Sequence, residues 1–236
     1  MSDPYVYPNS DILKNIPGHK DRASAEQFER LMSGERMRQM SLNIETGKLA
    51  VECTAKSYLD LHREIFRDVY DWAGQIRQVD ISKGEMFCRH QFIAQELERR
   101  FAALNAESNL TGLTPKRFAE RAAEHLAELN AIHPFREGNG RTQRLFLKAL
   151  AQHAGHPLAI KAIDPKAWHR ASVESFHGKL DTMQSVIRTA LDGTGTGQSA
   201  GEGNKEGEST KKQSWKERRA ALGEGAGRKP GYRRGR

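Results

Sequence analysis

"AIHPFREGNGRTQRLF", residues 131–146, decides how the rest of the chain is read. Within twelve positions it places an imidazole at His133, a carboxylate at Glu137, an amide between two glycines at Gly138, Asn139 and Gly140, and guanidinium groups at Arg141 and Arg144. A helical pattern upstream ends at His133-Pro134, because a proline disfavours helix in the residue before it. A second helix is expected to start near residue 140. The glycines free the loop to take positive φ and turn its N–H groups inward. N–H groups at a helix N-terminus form an anion site. Arg141 and Arg144, at i and i+3, share one side of that helix, and arginine forks onto phosphate oxygens. The set suits a di- or triphosphate. Glu137 would repel such an anion unless a cation lay between them, and Mg²⁺ commonly binds one or two carboxylates plus phosphate oxygens. His133, with an ordinary pKa of ~6.5, can take a proton from a hydroxyl at neutral pH. Phe135 is expected in the core, anchoring the loop. Singly, each residue has a plainer reading: a turn, a solvated helix face, or a helix end favoured by the dipole. Their joint spacing favours the anion site.

Working outward, residues 114–131 read as a helix with Thr114 as N-cap, Pro115 in the first position, and Phe118, Ala122, Leu126 and Leu129 on the buried face. Residues 141–154 give the next helix, and 164–191 one or two more starting at Asp164-Pro165. Upstream, residues 1–20 hold Pro4, Pro8, Pro17 and Gly18 and read as an extended lead-in. Residues 21–40 give a short helix. Residues 54–72 give an amphipathic one, capped by Thr54, with Tyr58, Leu61, Ile65, Val69 and Trp72 on one face. Residues 75–88 change period: Val79 and Ile81 alternate with polar residues, and Lys83-Gly84 supplies a turn. This predicts a small β-hairpin that leans on helices. Residues 90–105 return to helix. The fold class is mainly α with one hairpin.

The 236 residues fit one domain plus a tail. Net charge is +8, but residues 193–236 hold 11 Lys or Arg against 5 Asp or Glu, and 11 of the 21 glycines. The basic balance therefore belongs to a Gly-rich tail expected to be disordered, and says little about the domain at 1–192. Cys53 and Cys88 form neither a zinc spacing nor a disulfide framework, which fits a reducing cytoplasm. His153 and His156 have no third ligand near them and read as surface or packing residues. The N-terminus has no basic-flanked apolar core, so no signal peptide is expected. No run approaches the ~18 apolar residues of a membrane span.

The central stretch resembles the signature of the Fic family, H-x-F-x-(D/E)-G-N-G-R-x-x-R, and meets every fixed position with His133, Phe135, Glu137, Gly138, Asn139, Gly140, Arg141 and Arg144. "YVYPNSDILKN" and "LHREIFRDVYDWAGQIRQVDISKG" are similar to the family's lead-in and to its helix and hairpin, so the likeness spans roughly residues 5–190. It implies a helical bundle with a hairpin flap over the active-site loop at 133–144. It also implies AMP transfer from ATP to a Tyr, Ser or Thr hydroxyl of a target protein, with pyrophosphate released. His133 would be the general base, and Glu137 would hold Mg²⁺. Gly138, Asn139 and Gly140 would form the anion hole, and Arg141 and Arg144 would hold the outer phosphates. The flap, turning at Lys83 and Gly84, would pair its edge with an extended target segment.

Some relatives carry an inhibitory motif, (S/T)-x-x-x-E-(G/N), whose Glu pairs with the second motif arginine. Only Glu45 has Ser or Thr four residues before it, at Ser41, and Thr46 follows in place of Gly or Asn. This departure implies inhibition by a separate small antitoxin supplying the Glu, which makes the chain the toxin of a pair. A type II topoisomerase is the target by analogy. Two rivals stand beside this. Doc-like kinases have Lys where this chain has Gly140, so the intact motif favours nucleotide transfer, while phosphocholine remains a possible donor group. The tail, with Trp215 and Tyr232 among arginines, allows nucleic-acid contact or export by a type IV system.

Overall fold

The computed structural model describes residues 3–193. Helix α1 (Arg22–Glu45) is capped by the Asp21 carboxylate, which accepts from the Ser24 N–H at 2.8 Å. It runs longer than the expected 21–40. Only Ser33, Met40, Ser41 and Ile44 are buried along it, so its apolar period is too weak to mark its length. Helix α2 (Ala55–Phe66) starts on Thr54, as expected, and stops six residues early. The N–H groups of Val69 and Tyr70 both bond the Phe66 carbonyl, at 2.8 and 2.9 Å. Val69 and Trp72 are therefore buried from turns and not from a helix. Turn spacing mimics the helical period over so few residues.

The hairpin is shorter than 75–88. Strands β1 (Ser82–Lys83) and β2 (Glu85–Met86) pair antiparallel, with Lys83 opposite Glu85. Gly84, at φ 80°, makes the turn. Helix α3 (Ile93–Ala106) follows a 3₁₀ turn over His90–Phe92. Helix α4 (Pro115–Ile132) begins at Thr114, whose hydroxyl accepts from the Arg117 N–H at 3.3 Å. Helices α5 (Asn139–His153), α6 (Pro165–Phe176) and α7 (Asp181–Asp192) complete the bundle. Asp164 caps α6 through the Ala167 N–H at 2.9 Å. The tail expected over 193–236 lies, from residue 194 on, outside the described residues.

Helix α5 is central, packed against α1, α2 and α4. A helix buried around most of its circumference must be enclosed by others. Phe146 sits edge-on to Tyr58 at 5.5 Å and to Phe101 at 5.4 Å, while Phe135 stacks on His62 at 3.8 Å. This aromatic cluster fixes α2, α3, α5 and the loop before α5 with offset and edge contacts, the favoured ring geometries. No described helix is long and apolar enough to cross a membrane.

Candidate active site

The loop from α4 to α5 is held at both ends. His133 closes α4 in a left-handed conformation, φ 49° and ψ 62°, with its N–H on the Leu129 carbonyl at 3.0 Å. A non-glycine residue persists there only when its surroundings fix it. Asn139 clips the loop: its side-chain oxygen accepts from the Phe135 N–H at 3.0 Å, and its amide donates to the Phe135 carbonyl at 2.8 Å. The Asn139 side chain is thus a brace, which leaves only its backbone N–H as a candidate anion donor. Behind the loop, His62 is fully buried. Its Nδ1 accepts from the Gly74 N–H at 2.8 Å, so the proton sits on Nε2, which donates to the Glu137 carbonyl at 3.0 Å.

Gly138 takes φ 84° and begins α5. A Cβ there would lie 2.3 Å from Phe66 Cε2, so glycine is required twice over. Gly140 corrects the sequence reading. It is helical without positive φ, and a Cβ would meet only Trp168 Nε1, at 3.7 Å. Nothing in the protein demands glycine at 140, and the open space beside it belongs to a cavity. Helix α5 has no side-chain cap, and its first carbonyl bond runs from Thr142 to Gly138. The N–H groups of Asn139, Gly140 and Arg141 therefore meet no carbonyl among the described residues.

That cavity, of about 580 Å³, is lined by the flap from Asp80 to Glu85, by Phe87, His133, Glu137, Asn139, Gly140 and Gln143, and by α6 from Trp168 to Phe176. Among the predicted residues it gathers His133, Glu137, Gly138's neighbours at 139 and 140, Lys83 and Gly84. Phe87 stacks on the His133 ring at 3.9 Å. Burial, with Lys83 and Arg77 nearby, pushes the His133 pKa down to about 3, against the hydrogen bond from Nδ1 to the Asn130 carbonyl. With its proton on Nδ1, neutral His133 leaves Nε2 as the acceptor.

The two motif arginines differ. Arg141 turns to α1, where it pairs with Glu29, donates to the Ser33 hydroxyl at 2.8 Å, and lies over the Phe66 ring at 4.6 Å; Glu137 Oε1 is 3.5 Å away. Glu137 Oε1 also accepts from the Gly138 N–H at 2.8 Å. Arg144 makes no hydrogen bond or ion pair with a described residue, and its Nε is buried unpartnered. Burial and the Arg141 charge hold its pKa below the usual guanidinium range. Glu45, the near match to an inhibitory Glu, binds Lys148 at 3.1 Å instead. Glu137 offers a single carboxylate at the rim of the cavity, a donor set that fits Mg²⁺ shared with phosphate oxygens. Among the described residues no group of three or more His, Cys, Asp or Glu could hold a metal alone.

Sequence reasoning missed the α6 wall. Trp168 Nε1 and Gln143 Nε2 are buried donors with no partner among the described residues, and both residues line this cavity. The wall's one signal was Trp168 and Phe176, two turns apart in a helix already expected.

A family model described as Fic/DOC matches residues 52–151. The chain is 40% identical over 193 residues to the "Probable protein adenylyltransferase y4lH" of Sinorhizobium fredii, covering 81% of this chain and 97% of that protein. The chain belongs to the Fic/DOC family. It is also 35% identical to the "Probable protein adenylyltransferase Fic" of Escherichia coli K12, over 82% of this chain and 94% of that one. Among solved structures, the BepC protein of Bartonella tribocorum, a VirB-translocated effector with bound AMPPNP, superposes with TM-score 0.72 at 26% identity, covering 79% of this chain and 95% of that one. The predicted helical Fic fold is therefore the one observed.

Proposed function

We infer that this chain is a protein adenylyltransferase, a nucleotidyltransferase that moves AMP from ATP onto a hydroxyl side chain of another protein. The observation that carries the reading is one cavity holding a neutral, oriented His133 Nε2 beside an uncapped helix N-terminus. The names of the relatives and the nucleotide analogue bound to BepC support it. The cavity volume falls within the ~300–1,000 Å³ usual for small-molecule sites. The α-phosphate rests at the N–H groups of Asn139 and Gly140, and the outer phosphates extend past the cavity lining to Arg144, which has no counter-charge among the described residues. Arg141 can reach them only in competition with Glu29. The apolar α6 wall, with the Trp168 and Gln143 donors, takes the nucleoside.

His133 Nε2 accepts the proton of the target hydroxyl as its oxygen bonds the α-phosphorus. The bond from that phosphorus to the bridging oxygen of the β-phosphate breaks, and pyrophosphate leaves. Alignment and charge neutralisation supply most of the rate in such transfers. Glu137 would hold Mg²⁺ here, and the ion would supply neutralisation of the phosphate charge. The flap turn at Lys83 and Gly84 borders the same cavity, placed to bring an extended target segment into register.

Regulation by a separate small protein that presents a Glu to Arg144 belongs to this reading. It is supported by the absence of a partner for Arg144 among the described residues and by the engagement of Glu45 elsewhere. A type II topoisomerase is the first target to assay. The site of action is the cytoplasm, of the producing cell or of a recipient reached by a type IV system. A translocation reporter on the full chain and on residues 1–193 separates those two.

The test uses purified protein, bacterial lysate or purified topoisomerase, and Mg²⁺, with ATP labelled at the α- or the γ-phosphate. Label on protein from α alone, lost in His133→Ala, is expected. Label from γ alone overturns the reading in favour of a kinase.

A further inference from the structure

Arg77 is the largest side chain buried almost completely, at 1% exposure. A buried guanidinium needs partners for its donors or pays a large desolvation cost. Arg77 is surrounded by main-chain carbonyls. Nε donates to the His133 carbonyl at 2.8 Å, Nη1 to Val79 at 2.6 Å, and Nη2 to Cys88 and, at 3.4 Å, to Ile132. Its own N–H donates to Pro134 at 2.9 Å. Two of these carbonyls, Val79 and Cys88, flank the flap, one on each stem. The other three belong to the last residue of α4, to the base and to the proline after it. The Cys88 N–H adds a bond to Ala131 at 3.0 Å.

Helix ends leave carbonyls unsatisfied and carry partial negative charge. A cation there is therefore favourable, which explains a positive charge at this place. It does not explain why the same fork reaches both flap stems. Only a planar group with donors in fixed directions can bind these separate carbonyls at once. His133 meanwhile sits in a left-handed conformation that its neighbours must impose.

We propose that Arg77 is a positioning residue that locks the flap to the main chain of His133, so that a target held by the flap arrives in register with Nε2. The proposal rests on the adenylyltransferase reading for its kinetic consequence and on geometry alone for the lock. Lysine has no fork, so Arg77→Lys keeps the charge and loses the simultaneous bonds. Misplacing a reacting group by about 1 Å can cost on the order of 10²-fold in rate.

The experiment has two parts, both on the full chain. In native-state hydrogen exchange of the wild type, the amides of Arg77, Cys88 and His133 are expected to open as one unit with equal protection. A Cys88 amide that exchanges far faster than the other two overturns the lock, whatever any variant does. In AMP transfer, Arg77→Lys is expected to lower kcat on the order of 10²-fold while KM for ATP stays within about threefold, a shift of only ~0.65 kcal/mol. A purely structural Arg77 would instead leave kcat per folded molecule unchanged, or raise both KM values in step with lost stability, and either result overturns the proposal. A wild type that transfers no AMP defeats the activity reading alone, since the exchange measurement needs no turnover. If Arg77→Lys does not fold, the wild-type exchange pattern decides.

Discussion

At the scale of single residues, two glycines two positions apart do opposite work. Gly138 is demanded by the protein, through its positive φ and the Phe66 ring against its Cα. Gly140 is demanded only by what enters the cavity. Gly138→Ala is expected to cost roughly 2–4 kcal/mol, from left-handed backbone plus overpacking, read by urea unfolding. Gly140→Ala should fold at least as well, up to about 1 kcal/mol more stable. It should nevertheless bind ATP roughly tenfold or more weakly by calorimetry, because a methyl blocks approach to the N–H groups. Arg144 obeys the same logic. With no counter-charge among the described residues, it is held at a cost to stability. Arg144→Met should leave unfolding free energy equal or raised, and should weaken ATP binding by about 10–100-fold, the worth of charged hydrogen bonds to phosphate. An Arg144→Met protein that loses stability and keeps its ATP affinity would refute the assignment.

Among the elements, α5 and the loop before it carry the site because everything around them is packed. Tyr58 from α2 lies among Phe101, Phe135 and Phe146, and its hydroxyl is buried without a partner among the described residues. Burial alone raises its pKa far above the ordinary phenol value. Tyr58→Phe removes that unpaired group and should stabilise the protein by about 1 kcal/mol, raising Tm in calorimetry. The hairpin shows the limit of pattern reading. Alternation at Val79 and Ile81 suggested strands, but the ladder holds only residues 82–83 and 85–86. The stems on either side meet through one further bond, from the Phe87 N–H to the Ile81 carbonyl at 3.2 Å, and are otherwise joined through Arg77 and through the Asp80 carboxylate on the His90 N–H. Two-residue strands are marginal alone, so the flap's position depends on the helices beneath it.

Across the whole molecule, three buried histidines link folding to pH, His125 being lowered by burial in the same direction as His62 and His133. Burial depresses both His62 and His133 to about 3. The unfolded chain, with imidazoles near ~6.5, binds more protons than the folded one between those values. The stability they carry is complete above pH ~6.5 and is lost as pH falls toward 3, at up to ~1.4 kcal/mol per pH unit for each group. Urea midpoints at pH 7 should exceed those at pH 5, and equal midpoints would contradict the burial of both rings. The same depression predicts that kcat/KM for AMP transfer shows no acidic limb at pH ~6.5, the ordinary imidazole value.

The sequence by itself determined the helical class, the caps at Thr54, Thr114 and Asp164, and the motif from His133 to Arg144. Each of these is written in neighbouring residues: a period, a cap before a proline, an anion site at one helix start. Tertiary structure alone decided what lies far apart in the chain. It brought Glu29 to Arg141, left Arg144 without a partner among the described residues, set Trp168 and the flap on one cavity, and drew the carbonyls of two segments onto Arg77. Those outcomes follow from which groups burial forces together and which charges it leaves without partners. Local spacing contains no information about either.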